Sequence, residues 1–259
     1  MPVYQLDDGI WFPKPKYGEP DGLLAVGGDL SPERLLFAYS LGIFPWFSFK
    51  DFSEPHWYCP LERFVIFPKE IHVSHSMKQM MRNARYEVTI NQCFEGVIRN
   101  CSQVDSRHQL PGAWLGKDMI EAYTKLHQMG RAMSVEVWDV ETENGERKTE
   151  NGELKTGNGE QETENGELET ESSSLNARRL IGGLYGVLSG NVFCGESMFS
   201  KEASASKLAL ITLAKCLQRV PNSLIDCQFE TPHLRSMGGR HISYEEYMDI
   251  MNRKPTEQQ

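Results

Sequence analysis

Arg179-Leu180-Ile181-Gly182-Gly183-Leu184-Tyr185-Gly186-Val187, set against Ser134-Val135-Glu136-Val137-Trp138, reads as two strands of one sheet. What lies between them is of another kind. From Glu141 to Ser174 there are 11 Glu against Arg147, Lys148 and Lys155, so this stretch holds eight of the nine net negative charges. It is a repeat, with Asn144, Asn151, Asn158 and Asn165 seven residues apart and Thr142, Thr149, Thr156, Thr163 and Thr170 in the same period. A coiled coil would need two apolar positions per repeat, and only Leu154 and Leu168 appear. The segment cannot bury enough surface to offset its ordering entropy, so a disordered insertion at about 141–174 is expected. The two strands would then form a hairpin with a greatly lengthened turn, tolerable because closure entropy grows only logarithmically.

Outward from this hairpin the pattern is mixed. Tyr86 to Ile90, Asn191 to Cys194 and Leu224 to Gln228 are further strand candidates. Ser31-Pro32 is a helix start, a capping serine followed by proline at the first helical position, and Gly42 a stop. Lys117 to Met129 places Met119, Ile120, Ala122, Tyr123, Leu126 and Met129 on one apolar face, with Gly130 as the stop. Ala205 to Val220 is apolar nearly all round and should be deeply packed. An α/β (α+β) fold is expected, with a small N-terminal α/β domain over 1–62 and a larger domain over 63–259 built on a central mixed sheet.

A hydrophobic fraction of 39% with 12 Phe, 9 Tyr and 5 Trp describes a globular protein. No apolar run approaches the roughly 18 residues of a membrane span. Asp7, Asp8, Pro13, Lys14 and Pro15 stand where a signal peptide would be apolar, so a cytoplasmic protein with no membrane partner is expected. The cysteines Cys59, Cys93, Cys101, Cys194, Cys216 and Cys227 make no C-x-x-C pair and are read as reduced, separate thiols with no metal site. Outside the acidic repeat the chain is close to neutral, which leaves RNA binding open wherever cations cluster.

Three stretches crowd glycine, aromatic and polar residues where core strands would be simpler. The first is Gly22-Leu23-Leu24-Ala25-Val26-Gly27-Gly28-Asp29-Leu30-Ser31-Pro32, continuing to Gly42-Ile43-Phe44-Pro45-Trp46-Phe47. The second is Phe193-Cys194-Gly195-Glu196-Ser197-Met198-Phe199-Ser200 with Ala205-Ser206-Lys207, and the third Leu224-Ile225-Asp226-Cys227-Gln228. In this order they resemble the leucyl/phenylalanyl-tRNA protein transferase family, over nearly all of the chain apart from the acidic repeat. The resemblance implies a larger domain like the GNAT acetyltransferase fold. It implies transfer of Leu, Phe and, less well, Met from aminoacyl-tRNA to proteins beginning with Arg or Lys, marking them for degradation by the N-degron pathway. No cofactor is implied, and a monomer is expected.

By the resemblance Asp226 and Gln228 are catalytic, Asp226 polarising Gln228, whose amide oxygen contacts the incoming amine. On a strand they would share a face, with Ile225 and Cys227 on the other. The plainer alternative is that they satisfy backbone groups at a strand end. Glu196, among glycine and small residues, suits the cationic side chain or ammonium of the acceptor; alternatively it pairs with a structural arginine. Phe193, Met198, Leu224 and Ile225 are candidates for the aminoacyl pocket, methionine adapting to both Leu and Phe, or else they are ordinary core. Trp46, Trp114 and Tyr123 match aromatic positions that the family uses around the terminal adenosine, where a flat ring stacks on a base.

Arg63, Lys69, Lys78, Arg82 and Arg85 make the most basic window, with Lys78, Arg82 and Arg85 assigned to the tRNA and Ser74 to Asn83 expected to be helical. Ala113, Ser204 and His56-Trp57-Tyr58-Cys59-Pro60 depart from the family pattern without touching a proposed catalytic group. An acyl-CoA transferase of the same fold and a non-catalytic RNA-binding module remain as rival readings. Lys201 to Ser206 holds no G-x-G for a pyrophosphate, which argues against the first.

Overall fold

A computed structural model describes residues 3–46, 54–103, 115–140 and 178–254. Its first sheet is β1 (Tyr4–Leu6), β2 (Leu23–Gly27), β3 (Phe44–Trp46) and β4 (His56–Tyr58), in the order β1-β2-β4-β3. Helix α1 (Pro32–Ser40) starts where the sequence places it: Ser31 Oγ accepts from the Arg34 N–H, and Pro32 occupies the first turn. Gly42, at φ 70°, turns the chain from this helix into β3.

The second sheet holds β5 (Glu62–Ile66), β6 (Tyr86–Ile90), β7 (Ala132–Val140), β8 (Arg178–Ser189), β9 (Val192–Ser200), β10 (Leu224–Asp226) and β11 (Arg240–Ser243). Their order is β11-β5-β10-β9-β8-β7-β6. Every neighbouring pair is antiparallel except β9 with β10, whose parallel pairing follows from the crossover through α5 (Ala205–Leu217). The other helices are α2 (His75–Met80), α3 (Phe94–Ser102), α4 (Lys117–Gln128), α6 (Pro232–Ser236) and α7 (Tyr244–Asn252). The mixed α/β expectation holds. Strand ends differ from it: β7 and β8 run longer at both ends, β9 continues past Cys194 to Ser200, and β10 stops at Asp226 rather than Gln228.

The sheet is buried on both faces. Ile181, Leu184, Phe193 and Ile225 pack on one side with α5, where Leu208, Leu210, Ile211 and Leu213 are no more than 2% exposed. Each such side chain contributes about 1.5–3 kcal/mol by leaving water. Gly182 lets α5 approach, since a Cβ there would lie 2.4 Å from that of Ala205. Tyr185, Val187, Cys194 and Leu224 face the other way, into a core shared with α1, α3, α4, α7 and the first sheet.

One irregularity sets up the site. Tyr185 pairs with Ser197 and Gly186 with Gly195, which leaves Glu196 as the extra residue of a bulge in β9. Gly186 opposite admits no side chain, because a Cβ would sit 2.2 Å from the Cys194 carbonyl oxygen.

The hairpin inferred around the acidic repeat is present, with β7 and β8 paired from Ala132 and Val187 to Val140 and Arg178. The repeat itself lies outside the described residues. Because the ladder closes on the Val140–Arg178 pair, a two-residue Asn-Gly turn can replace 141–177. The shortened protein is expected to melt at or above the parent temperature, since closure entropy falls by about 0.6 kcal/mol for each halving of the loop. A clear drop in Tm by calorimetry would show that the repeat contributes to the fold.

Candidate active site

The face of the second sheet turned toward α1 and α4 carries a connected polar group. It starts on β5, where alternation turns Phe64 and Ile66 to the α5 side and Arg63 and Val65 to the other. Arg63 is fully buried. Its Nη1 donates to Asp226 Oδ2 at 3.2 Å, and its Nη2 donates to the Gly42 carbonyl and, at 3.8 Å, to Cys59 Sγ. The guanidinium lies between the rings of Phe44 and Tyr247, 5.1 and 4.8 Å from their centres. Tyr247 donates to the same Asp226 oxygen at 3.0 Å. Burial pushes the Asp226 carboxyl above its ordinary value, opposed by Arg63, the Gln228 N–H and Tyr247. Every partner of Asp226 is a donor, the pattern of a carboxylate.

Gln228 follows where β10 has ended, and it is the centre of a tight turn. Its φ is 64°, and the Phe229 N–H reaches back to the Cys227 carbonyl at 2.7 Å. Such a left-handed conformation costs a residue with a Cβ on the order of 1–3 kcal/mol. Asp226 Oδ1 accepts from the Gln228 backbone N–H at 2.8 Å, and the Gln228 carbonyl accepts from the Phe64 N–H at 3.3 Å. This corrects the expectation that Asp226 and Gln228 lie on one strand face with the carboxylate polarising the side-chain amide. The strand stops too early, and Asp226 fixes the Gln228 backbone instead.

The Gln228 side chain points to Glu196, its Nε2 donating to Oε1 at 3.1 Å. Glu196 Oε2 accepts from Tyr123 at 2.8 Å, and Tyr39 and Tyr123 share a 2.6 Å hydroxyl contact. Asp226 and Gln228, from one motif, and Glu196, from another, are therefore one hydrogen-bonded unit. Glu196 is 9% exposed, and no arginine neutralises it among the described residues. Burial raises its pKa to about 7; hydrogen bonds from Tyr39, Tyr123 and Gln228 hold it down, and the neighbouring Asp226 pushes it up.

The remaining predicted residues divide. Trp46 is half-buried, 5.0 Å from the ring of Phe229 and 5.5 Å from that of Tyr58, so it adjoins Gln228 through Phe229. Tyr123 is 0% exposed against Tyr185 and Glu196, which leaves no open face for a base; its place is to hold Glu196. Trp114 lies outside the described residues. Phe193, Ile225 and the half-buried Met198 belong to the α5 side, whereas Leu224 faces the opposite core, so the four cannot line one hollow.

Helix α2 is shorter than expected, with Ser74 as its cap. Lys78 and Arg82 are exposed and border a surface hollow with Val73, Met81 and Lys215, on the far side of the sheet from Glu196. Arg85 is committed elsewhere, to both oxygens of Asp139 at 2.7 Å and to Glu202 at 3.1 Å. Arg63, counted in the same basic window, is the buried partner of Asp226. The cationic strip is thinner than the sequence suggested.

Sequence reasoning missed Arg63, Tyr39, Tyr247 and Phe229 as parts of the site. Arg63 stands between Glu62 and the apolar run Phe64-Val65-Ile66, a position that does not by itself mark it as buried.

A family model described as leucyl/phenylalanyl-tRNA protein transferase matches residues 65–145 and 170–252, and one for the N-terminal domain of those proteins matches 28–61. A leucyl/phenylalanyl-tRNA–protein transferase of Flavobacterium johnsoniae is 40% identical over 253 residues, covering 97% of this chain and 100% of its own. Those of Syntrophus aciditrophicus and Edwardsiella ictaluri are 42% and 38% identical, covering 99% and 96% of this chain and 92% and 86% of theirs. The protein is thus an enzyme, a tRNA-dependent aminoacyltransferase that acts on proteins. It belongs to the leucyl/phenylalanyl-tRNA protein transferase family.

Glu196 gives a stability test. Its pKa rises on folding from an ordinary 4.5 to about 7, so the folded state binds the proton more tightly and loses stability as pH climbs between those values. Glu196→Gln, which does not ionise, should gain on the parent by on the order of 3 kcal/mol between pH 5 and pH 8. Urea unfolding at the two pH values reads this; a pH-independent difference would mean that Glu196 titrates normally.

Proposed function

We propose that this enzyme transfers Leu or Phe, and less well Met, from aminoacyl-tRNA to the N-terminal Arg or Lys of acceptor proteins, marking them for degradation by the N-degron pathway. The observation that carries the reading is the Asp226–Gln228–Glu196 unit, set where β9 and β10 stop pairing and next to Trp46. Little catalytic machinery is needed, because the ester is already activated and an α-amine has a pKa near about 7.7–8.0. The amine nitrogen attacks the ester carbonyl, the C–N bond forms, the bond to the ribose oxygen breaks, and the amine proton ends on the departing hydroxyl. Holding amine and carbonyl at about 3 Å in the right orientation lowers the barrier by on the order of 7–11 kcal/mol.

Gln228 donates to Glu196 through Nε2, so its Oε1 is the atom available to receive an N–H of the incoming amine. Asp226 contributes by fixing the turn on which Gln228 sits. Glu196 attracts the cationic side chain or ammonium of the acceptor, and as a carboxylate with a pKa of about 7 it gains charge as pH rises through neutrality. Trp46, with Trp114, receives the terminal adenosine. Met198, half-buried two residues from Glu196, borders the aminoacyl pocket, and Lys78 and Arg82 meet the tRNA body. We read residues 1–62 as a small domain on a larger GNAT-like one, in a cytoplasmic monomer.

Radiolabelled leucyl-tRNA incubated with an Arg-initiated peptide tests the reading. The parent should label this peptide and not one beginning with Glu, and Gln228→Ala should slow labelling by about 10²-fold with little change in binding of charged tRNA. Label arriving from acetyl-CoA instead, or Gln228→Ala at the parent rate, would overturn it.

A further inference from the structure

The turn that carries Gln228 is held at its far end by a residue with no part in the chemistry above. Phe229 closes the turn through its N–H, and its ring lies 5.0 Å from that of Trp46, 5.9 Å from Phe44 and 6.5 Å from Tyr58. All three partners come from the first sheet, on β3 and β4. A residue with a side chain leaves a left-handed backbone when its surroundings permit. The Asp226 carboxylate and the Phe64 N–H restrain the Gln228 peptide groups, but both lie on the second sheet. The ring of Phe229 is what ties the turn to the first.

We propose that Phe229 is a positioning residue: seated among Phe44, Trp46 and Tyr58, it keeps Gln228 in the left-handed turn that presents its amide to Glu196, and so couples the aromatic platform to the reacting centre. The proposal rests on the transferase reading. Without the ring the turn relaxes and the Gln228 amide swings off Glu196, which then loses a hydrogen bond that stabilises its charged form. Glu196 otherwise faces Tyr39 from α1, Tyr123 from α4, Tyr185 from β8, Cys194 on its own strand and Asp226 from β10, none of which a change at Phe229 removes.

The test is Phe229→Ala and Phe229→Leu in the full-length enzyme, with labelled leucyl-tRNA and the Arg-initiated peptide, over pH 5.5 to 8.5. A misplaced group costs up to about 10²-fold in rate, so Phe229→Ala should lower kcat by about tenfold to 10²-fold at unchanged KM for charged tRNA. The acid limb of its pH profile should move upward, and Phe229→Leu, which keeps apolar bulk in the slot, should recover most of both. A lower Tm with kcat and the acid limb unchanged would make Phe229 a packing residue only and overturn the proposal. A rise in KM for charged tRNA alone would also overturn it, placing Phe229 in the base platform. A parent enzyme that labels no peptide would sink the transferase reading itself, a different result from either.

Discussion

A buried guanidinium cannot be left unpaired, and much of this structure follows from how Arg63 is satisfied. Taking a cation out of water costs several kcal/mol, recovered only with good geometry and further hydrogen bonds. Arg63 meets that condition at Nη1 and Nη2, though its buried Nε has no hydrogen-bond partner among the described residues, with groups from three directions: the Asp226 carboxylate on β10, the Gly42 carbonyl at the end of α1, and the rings of Phe44 and Tyr247. These partners belong to both sheets. The same pairing that neutralises the charge thus fixes how the first sheet sits against the second.

Asp226 passes this constraint on. One of its oxygens is held by Arg63 and Tyr247, which leaves the other to take the Gln228 N–H. Gln228 is thereby kept in a backbone conformation it would otherwise avoid, and its side chain meets Glu196. The bulge in β9 arrives at this point independently. An extra residue opposite a glycine that tolerates no Cβ puts Glu196 under α1 and α4, where Tyr39 and Tyr123 receive it. A carboxyl with no cationic partner among the described residues, its pKa raised by burial to about 7, is costly to stability.

The two faces of the second sheet serve different ends. On the α5 side the apolar side chains of a helix buried nearly all round supply packing energy. The opposite face holds the polar unit and the join with the first sheet. Lys78, Arg82 and Lys215 gather on the outer surface where α2 meets α5, away from Glu196.

The sequence by itself determined the class of fold, the hairpin around the acidic repeat, the capped start of α1 and the family, because these depend on periodicity, turn chemistry and short contiguous motifs. It also named Asp226, Gln228 and Glu196. Their geometry was a different matter. That β10 would end before Gln228, that Glu196 would fall on a bulge, and that Tyr123 would be sealed beneath it instead of open to a base depend on register and on neighbours far along the chain. Arg63 shows the limit most plainly: as a letter it is one more cation in a basic window, and only the packing of both sheets around it makes it the buried partner of Asp226. Local pattern fixes what a segment can form, whereas burial, which decides what a charge must do, is a property of the assembled chain.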